Sequence, residues 1–398
     1  MTDTTTTLDV SVVLPCLNEA ESVGAVVRDA LKAMRDNGLR GEVVVADNAS
    51  VDGSADVARD AGARVVLAVR RGYGAACHAG MEAARGRVLV LADADGTYPM
   101  EAIPALVKPV LCGERDMVIG ARIHDELASN AMPWAHRHIG TPLLTRMVNR
   151  ISGANVSDSQ SGMRAIDSAA YRRLAMRTPG MEYASEMILR AARLRLRIGE
   201  TPIGYRERVG LSKLRTIPDG WRHLRYILLA SPNWLFLVPG LISMALGLII
   251  VVPLSFGEVH IGRFQMIIHP MFAGAVLLIA GYQMVQFGVL LRAVAPPEER
   301  DRDRLVTFVQ RTGAEKLVLV GLVLVLAGVA LGITITAHWI TEGFGQLAEV
   351  RHAMAASVLF VLGSQTIFAA LLSAFFISDD FGRPVWLGGQ PRRSDDEA

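Results

Sequence analysis

The chain has 398 residues, of which 51% are hydrophobic and 20% are charged. This length and apolar content exceed what one soluble domain accommodates, so we expect more than one domain. The formal net charge at pH 7 is +2, and a nearly balanced charge argues against a nucleic-acid-binding protein. Cys16, Cys77 and Cys112 lack metal-ligand spacing, and an odd, scattered set of cysteines indicates a reducing compartment.

The chain before about Trp234 predicts strands that alternate with helices. Apolar runs of strand length lie at Val10–Leu14, at Glu42–Ala46, at Arg64–Val69 and from Val88 onward. Helical periodicities separate these runs, so the pattern predicts an α/β domain with a mostly parallel, doubly wound sheet. The sequence contains no Walker loop and no Gly-x-Gly-x-x-Gly after the first strand, which argues against an NTPase or a Rossmann dinucleotide site.

Three of the predicted strands end in polar loops. The first is followed by Asn18 and Glu19, the second by Asp47, and the fourth by Asp93 and Asp95. Because the carboxyl ends of parallel strands meet at one edge of a sheet, we expect these side chains to form one ligand site. A glycine and a proline turn the chain after the last two aspartates, so both carboxylates can face one ligand. Two carboxylates suit a divalent cation that carries phosphates.

These segments together resemble a known family. Pro15–Glu19, Asp47–Ser54 and Asp93–Asp95 resemble the inverting family 2 glycosyltransferases of GT-A fold, a Rossmann-like architecture. The segment Asp158–Arg164, Asp-Ser-Gln-Ser-Gly-Met-Arg, narrows the resemblance to the dolichyl- or polyprenyl-phosphate hexosyltransferases. The resemblance covers roughly Val10 to Ser231, and some members carry a membrane tail.

The resemblance implies a donor site for a nucleotide-diphosphate sugar. Its nucleotide-sugar-binding residues are Pro15, Asn18, Glu19, Asp47, Asp93 and Asp95. Asp47 and Asp93 are expected to hold the nucleoside and Asp95 a Mg²⁺ or Mn²⁺ ion on the diphosphate, with Asp93 as a further candidate metal ligand. Gly96-Thr97-Tyr98 stands where some relatives that use GDP-mannose carry a metal-binding glutamine. The third protein ligand and the nucleotide base therefore stay open.

The later part of this domain is expected to bind the acceptor. Arg122 and Arg164 are candidates to contact the leaving diphosphate, so the predicted catalytic set is Asp95, Arg122 and Arg164. Four cations near the end of the domain are predicted to bind the acceptor phosphate: Arg206, Arg208, Lys213 and Arg215. Arg206 and Arg208 alternate on a predicted strand, so their side chains share a face, and Lys213 and Arg215 alternate in the same way. The alternative interpretation is a juxtamembrane basic patch attracted to anionic lipid head groups.

The remainder of the chain predicts a membrane domain. Trp221–Leu229 mixes cationic and apolar residues as surface-lying amphipathic helices do, and four spans follow at about 234–254, 268–291, 317–336 and 353–377. The linker Arg292–Lys316 is rich in arginine, so the positive-inside rule places it, the catalytic domain and the C-terminus in the cytoplasm of a plasma-membrane protein. The lack of a signal-peptide core at the N-terminus agrees. Gly328-x-x-x-Gly332 predicts a packing face within the bundle or in a homo-oligomer.

These patterns predict four regions. They are a GT-A domain at 1–215, a juxtamembrane amphipathic helix at 216–232, an all-α bundle of four transmembrane helices at 233–378, and a cytoplasmic polar tail at 379–398.

The leading functional hypothesis is inverting transfer of one hexose from a UDP-glucose-type donor or GDP-mannose to polyprenyl phosphate. A phosphate monoester with a second pKa of about 6 is mostly dianionic at neutral pH and can attack without a general base. One alternative is a processive membrane polysaccharide synthase, although those relatives carry a Gln-x-x-Arg-Trp motif that this chain lacks. Another is a membrane scaffold or lipid flippase with a vestigial nucleotide fold, against which the intact aspartates and the nearly charge-free spans count.

Overall fold

The computed structural model describes residues 8–127, 134, 136–210, 216–261, 264–266, 268–293, 303–344 and 349–377. The chain divides into two compact units, Met1–Ala230 and Ser231–Ala398. Lys213, Arg215 and the predicted tail at 379–398 lie outside the described residues. The four-region division therefore stays a prediction.

The N-terminal unit is built on one sheet. Its strands are β1 Val10–Cys16, β2 Gly41–Asp47, β3 Arg64–Leu67, β4 Val88–Leu91, β5 Met117–Leu127, β6 Arg164–Asp167 and β7 Ile198–Tyr205. They lie in the order β3-β2-β1-β4-β6-β5-β7. The pairs β1–β2, β2–β3, β1–β4 and β5–β7 are parallel, whereas β6 is antiparallel to both of its neighbours. The predicted α/β class with a mostly parallel sheet is confirmed.

Helices cover both faces of this sheet. They are α1 Val23–Asp36, α2 Ser54–Asp60, α3 Tyr73–Ala83, α4 Ile103–Leu111, α5 Thr141–Ser152, α6 Ser168–Leu174, α7 Tyr183–Arg193 and α8 Thr216–Leu229. The residues of β1 divide between two cores, with Val12 and Leu14 in the core that contains α1 and α4, and Val13 in the core that contains α3 and α7. Successive side chains of a strand point to opposite faces, so burial on both faces explains the unbroken apolar run.

The strand register brings the polar loops to one edge. Cys16 of β1 pairs with Asp47 of β2, and Val13 pairs with Leu91 at the end of β4. Asp93 and Asp95 follow within four residues of that end. The predicted common edge is therefore present.

Helix α8 packs on the N-terminal unit through one side. His223 and Ile227 are buried, whereas Trp221 and Leu229 are exposed. An amphipathic helix is therefore present in this region, and its placement on a membrane surface stays a prediction.

Among its described residues, the C-terminal unit contains four helices that are long and apolar enough to cross a membrane, as predicted. They span Asn233–Phe256, His269–Ala293, Ala314–Thr341 and Val350–Phe376. Its described elements are α9 Val238–Phe256, β8 Val259–Ile261, β9 Phe264–Met266, α10 His269–Ala293, α11 Arg304–Thr312, α12 Ala314–Thr341 and α13 Val350–Ile377.

Glycines allow the long helices to approach closely in pairs. A Cβ atom on Gly247 of α9 would lie 2.5 Å from the main-chain nitrogen of Leu278 in α10, and one on Gly328 of α12 would lie 2.7 Å from the carbonyl oxygen of Ala356 in α13. Gly321 of α12 packs on α13 in the same way, whereas a Cβ on Gly332 would meet no described atom within 4 Å. The packing face within the bundle therefore joins Gly328 to Gly321, two helical turns away, and does not include Gly332 among the described residues. The alternative, that Gly328-x-x-x-Gly332 packs in a homo-oligomer, stays a prediction.

Candidate active site

Hydrogen bonds lock the loop after β1 to the loop after β2. The Asn18 N–H donates to Ser50 Oγ at 2.9 Å, and the Asn18 side-chain oxygen accepts from the Val51 N–H at 2.8 Å. Asp47, buried at the end of β2, accepts from the Ser50 N–H at 3.2 Å. Two residues predicted to bind the nucleotide, Asn18 and Asp47, are thus held by the same short segment.

The turn after β4 fixes Asp95. Its Oδ1 accepts from the Thr97 hydroxyl at 2.6 Å and from the Thr97 N–H at 3.1 Å. Its Oδ2 lies 3.4 Å from Nη1 of Arg208. Asp95 is buried. One of its carboxylate oxygens is therefore held by its own turn, and the other faces the guanidinium of Arg208.

Asp93 is enclosed by residues from three parts of the chain. The Tyr73 hydroxyl donates to Asp93 Oδ1 at 2.9 Å. The Gly162 N–H donates to Tyr98 Oη at 2.6 Å, and a Cβ on Gly162 would lie 3.0 Å from Asp93 Oδ2. Burial, and after it the charge of Asp95, raise the pKa of Asp93 to about 7. A positive charge nearby would favour its ionised form.

Arg122 forms a buried ion pair with Asp158. Its Nε donates to Asp158 Oδ2 at 2.6 Å and its Nη2 to Asp158 Oδ1 at 2.9 Å, while the guanidinium carbon lies 5.3 Å from the centre of the Tyr205 ring. Burial acts to raise the pKa of Asp158, but the charge and hydrogen bonds of Arg122 outweigh it, so this pKa lies below its usual range. The structure therefore joins Arg122, a predicted catalytic residue, to the first residue of the Asp158–Arg164 segment.

Arg164, at the other end of that segment, is buried against main-chain carbonyls. Its Nε donates to Ser161 at 2.9 Å, Nη2 to Ser159 at 2.8 Å and Nη1 to Ala184 at 2.6 Å. These hydrogen bonds hold the main chain of the Asp158–Arg164 segment, which packs against Asp93 through Gly162. A direct contact of Arg164 with the leaving diphosphate stays a prediction.

The predicted acceptor residues are only partly described. Strand β7 ends at Tyr205, so the prediction that Arg206 and Arg208 lie in a strand is wrong. The reason is that the chain turns to pair with the loop after β4: the Arg206 N–H donates to Thr97 O at 2.9 Å and the Val209 N–H to Asp95 O at 3.1 Å. We call the segment Arg206–Val209 the arginine strap.

The two arginines of the strap have different partners. Arg206 forms an ion pair with Glu101, and the two side chains are 54% and 66% exposed. Nη2 of Arg208 donates to Glu19 Oε1 at 2.6 Å. Of these two arginines, only Arg208 has a described contact with Asp95.

Two carboxylates at this edge have the chemistry of a cation site. No group of three or more His, Cys, Asp or Glu residues with metal-binding geometry occurs among the described residues. Asp93 and Asp95 supply hard oxygen atoms, and Mg²⁺ commonly combines one or two carboxylates with phosphate oxygens and waters. Two such carboxylates therefore suit a divalent cation that arrives with a diphosphate better than one held by the protein alone.

Four residues that shape the site were not predicted as site residues from the sequence. They are Tyr73, Thr97, Tyr98 and Asp158, of which all but Tyr73 stand in segments quoted above for another reason. Thr97 and Tyr98 are close to Asp95 in the chain, and their position alone was a usable signal. Tyr73 and Asp158 are distant in sequence, so only the fold reveals their partners.

Comparison with known proteins places the chain in a family. Residues 11–176 match the family described as glycosyl transferase family 2, and residues 297–377 match the glycosyltransferase family 2 C-terminal transmembrane region. The low-salt glycan biosynthesis hexosyltransferase Agl6 of Haloferax volcanii is 37% identical over 363 residues, which cover 91% of this chain and 87% of the relative. A dolichyl-phosphate hexose transferase of the same organism is 35% identical over 216 residues, 53% of this chain and 89% of that protein.

Solved structures of similar fold include the glucosyl-3-phosphoglycerate synthase of Mycobacterium tuberculosis in complex with phosphoglyceric acid. It has a TM-score of 0.45 and 24% identity, and the match covers 56% of this chain and 80% of that chain. The resemblance drawn from the motifs is confirmed by the relative that matches most of the chain. Both the α/β unit and the membrane unit carry matches to one family, and the chain therefore belongs to glycosyltransferase family 2.

Proposed function

We propose that this glycosyltransferase moves one hexose from a nucleotide-diphosphate sugar to polyprenyl phosphate. The observation that carries the proposal is the meeting of Asp47, Asp93 and Asp95 at one sheet edge, with the Asp158–Arg164 segment packed against Asp93. A relative named as a dolichyl-phosphate hexose transferase supports a lipid phosphate as the acceptor.

The donor would lie across the ends of β1, β2 and β4. Asp47 and Asp93 would accept hydrogen bonds from the nucleoside, and the loops of Pro15, Asn18 and Glu19 would line the same side. The bonds between Asn18 and the loop after β2 support this assignment, because they fix the two loops before a ligand arrives. Preorganised loops reduce the entropy that binding costs.

Asp95 would hold Mg²⁺ or Mn²⁺ through Oδ2, with Asp93 beside it. A bound divalent cation offsets the negative charge that develops on a leaving diphosphate. Thr97 fixes Oδ1 of Asp95, and Tyr73 fixes Oδ1 of Asp93, so both carboxylates are oriented by uncharged donors. This arrangement supports the proposal because oriented carboxylates need little reorganisation during the reaction.

The acceptor needs positioning more than it needs a base. A phosphate dianion attacks the anomeric carbon directly, and attack opposite the diphosphate gives a β-linked product from an α-linked donor. We assign the acceptor-phosphate contact first to Arg208, because it lies beside Asp95, and place Arg206 at the rim. Lys213 and Arg215 remain candidates. We assign positioning roles to Arg122, through Asp158, and to Arg164, through the carbonyls of its segment.

The proposed orientation puts the catalytic unit, the 292–316 linker and the C-terminus in the cytoplasm, with four spans in the plasma membrane. The arginine content of the linker supports it. Nucleotide sugars and the phosphate of the lipid would then meet on the same side of the membrane.

The experiment is a donor panel with the purified full-length protein in neutral detergent. UDP-hexoses and GDP-mannose are offered with Mn²⁺ and polyprenyl phosphate, and the lipid product is analysed by mass spectrometry and NMR. We expect one donor to give a lipid that carries a single β-linked hexose. A lipid with several hexoses would favour a processive synthase, and retention of the α configuration would contradict the inverting mechanism.

A further inference from the structure

Arg208 lies between two carboxylates at the proposed cation site. Its Nη2 is 2.6 Å from Glu19 Oε1, and its Nη1 is 3.4 Å from Asp95 Oδ2. The side chains of Glu19 and Asp95 are 10% and 8% exposed, and that of Arg208 is 25% exposed. Ion pairs with this little exposure are less screened by water than surface pairs.

The main chain holds Arg208 in this position. Two strap hydrogen bonds, from the Arg206 and Val209 N–H groups, join residues on both sides of Arg208 to the turn that contains Asp95. Gly210 follows with a φ of +85°, a left-handed conformation that favours glycine. Arg208 is therefore presented to Asp95 by a defined backbone contact and not by side-chain flexibility alone.

The guanidinium is not fully satisfied by these contacts. Its Nε is buried and has no hydrogen-bond partner among the described residues. A buried donor without a partner is costly, and arginine is suited to phosphate oxygens, which accept such hydrogen bonds well. The side chain thus combines a contact to the proposed cation ligand with a donor that an anion would satisfy.

We propose that Arg208 is an internal counter-ion that competes with the divalent cation for Asp95 Oδ2. When nucleotide diphosphate and cation bind together, Arg208 gives up this oxygen, and its donors turn first to the diphosphate and, once the acceptor binds, also to the acceptor phosphate. This inference rests on the proposed function, because it requires Asp95 to be the cation ligand. No bond is made or broken; only ionic contacts are exchanged.

The competition makes the binding of the cation depend on the nucleotide. Arg208 and a divalent cation are both positive, so they repel each other at one carboxylate oxygen, and the cation alone binds weakly. A diphosphate brings negative oxygens for both, so cation and nucleotide bind together. Arg206 provides a matched control, since it belongs to the same strap but pairs with exposed Glu101.

The test measures Mn²⁺ binding to the full-length protein in neutral detergent without nucleotide, by electron paramagnetic resonance of free Mn²⁺. We expect Arg208→Gln to raise the Mn²⁺ affinity on the order of tenfold, because one competing charge is removed. Arg208→Lys keeps the charge and should stay near the wild-type affinity, as should Arg206→Gln. With UDP present the gain of Arg208→Gln should shrink, because the variant also loses a phosphate contact.

Asp95→Asn separates this inference from the function on which it rests. If Asp95→Asn abolishes Mn²⁺ binding but Arg208→Gln leaves the affinity unchanged or lowers it, the cation site is correct and the counter-ion role is overturned. If Asp95→Asn leaves the Mn²⁺ affinity unchanged, the cation lies elsewhere, and both assignments fall. Thermal unfolding of each variant shows whether it is folded.

Discussion

Gly162 decides how closely the Asp158–Arg164 segment approaches the aspartates. Its position allows contact that a larger residue would disturb, because a Cβ there would lie 3.0 Å from Asp93 Oδ2 and 3.1 Å from Tyr98 Oη. The segment thereby couples the Arg122–Asp158 ion pair to the proposed nucleoside site. At the scale of single residues, this contact joins the two halves of the site.

We predict that Gly162→Ala lowers kcat on the order of tenfold while the protein stays folded. The neighbours of the added methyl group must shift by a few tenths of an ångström, and a misplacement of about 1 Å costs about a hundredfold in rate. The control is Gly204→Ala, since a Cβ on Gly204 would meet no described atom within 4 Å. Steady-state kinetics and thermal unfolding of both variants provide the measurement. Equal activity of the two variants would show that the segment does not constrain Asp93.

The sequence was informative where the signal is local. Asp93 and Asp95 follow an apolar strand directly, and Thr97 lies two residues further on. In contrast, the pairing of Arg122 with Asp158 spans 36 residues and that of Arg208 with Glu19 spans 189. Partners of this kind depend on the strand order and on loop geometry, which no local pattern encodes.

At the scale of elements, β7 shows why a pattern can mislead. Arg206 and Arg208 alternate as strand residues do, yet the strand ends at Tyr205. Up to that residue β7 pairs with β5, whereas the arginine strap donates its main-chain hydrogen bonds to the turn at Asp95 and Thr97. The four apolar helices, by contrast, were predictable because length and composition suffice to identify a span. Their packing was less predictable, since it depends on which glycine faces a neighbour.

We predict that Gly328→Ala destabilises the α12–α13 pair by about 1–3 kcal/mol, because the added methyl group would press on the backbone of α13. Gly332→Ala, one helical turn further along, should have almost no effect. Thermal unfolding of the full-length protein in detergent compares the two. A loss of stability that is equal in both variants would contradict the packing described for α12.

At the scale of the whole molecule, the two units supply different parts of what the proposed reaction needs. The α/β unit carries the carboxylates and arginines of the proposed reaction, and the membrane unit supplies long apolar helices. Lipid phosphate and nucleotide sugar differ greatly in solubility, so an enzyme that joins them needs both environments. This division agrees with the family matches in the two parts of the chain.

The proposed topology predicts opposite labelling of two positions, one on each side of α12. In a chain whose exposed Cys112 is replaced by Ser, Gln310→Cys should resist an impermeant thiol reagent in intact cells, and Glu342→Cys should react, since both positions are exposed. Permeabilised cells provide the control, since both positions should then react. Ready labelling of Gln310→Cys in intact cells would overturn the cytoplasmic placement of the linker after α10.

The most direct test of the central claim is nucleoside diphosphate release, measured with and without polyprenyl phosphate for the wild-type protein and for Asp95→Asn. We expect release by the wild type to require both the lipid phosphate and a divalent cation. We expect Asp95→Asn to be inactive although folded, because an amide does not offset the charge of the cation. Release that does not depend on polyprenyl phosphate would contradict the proposed acceptor. Activity of Asp95→Asn within about threefold of the wild type at saturating Mn²⁺ would contradict the assignment of Asp95 as the cation ligand.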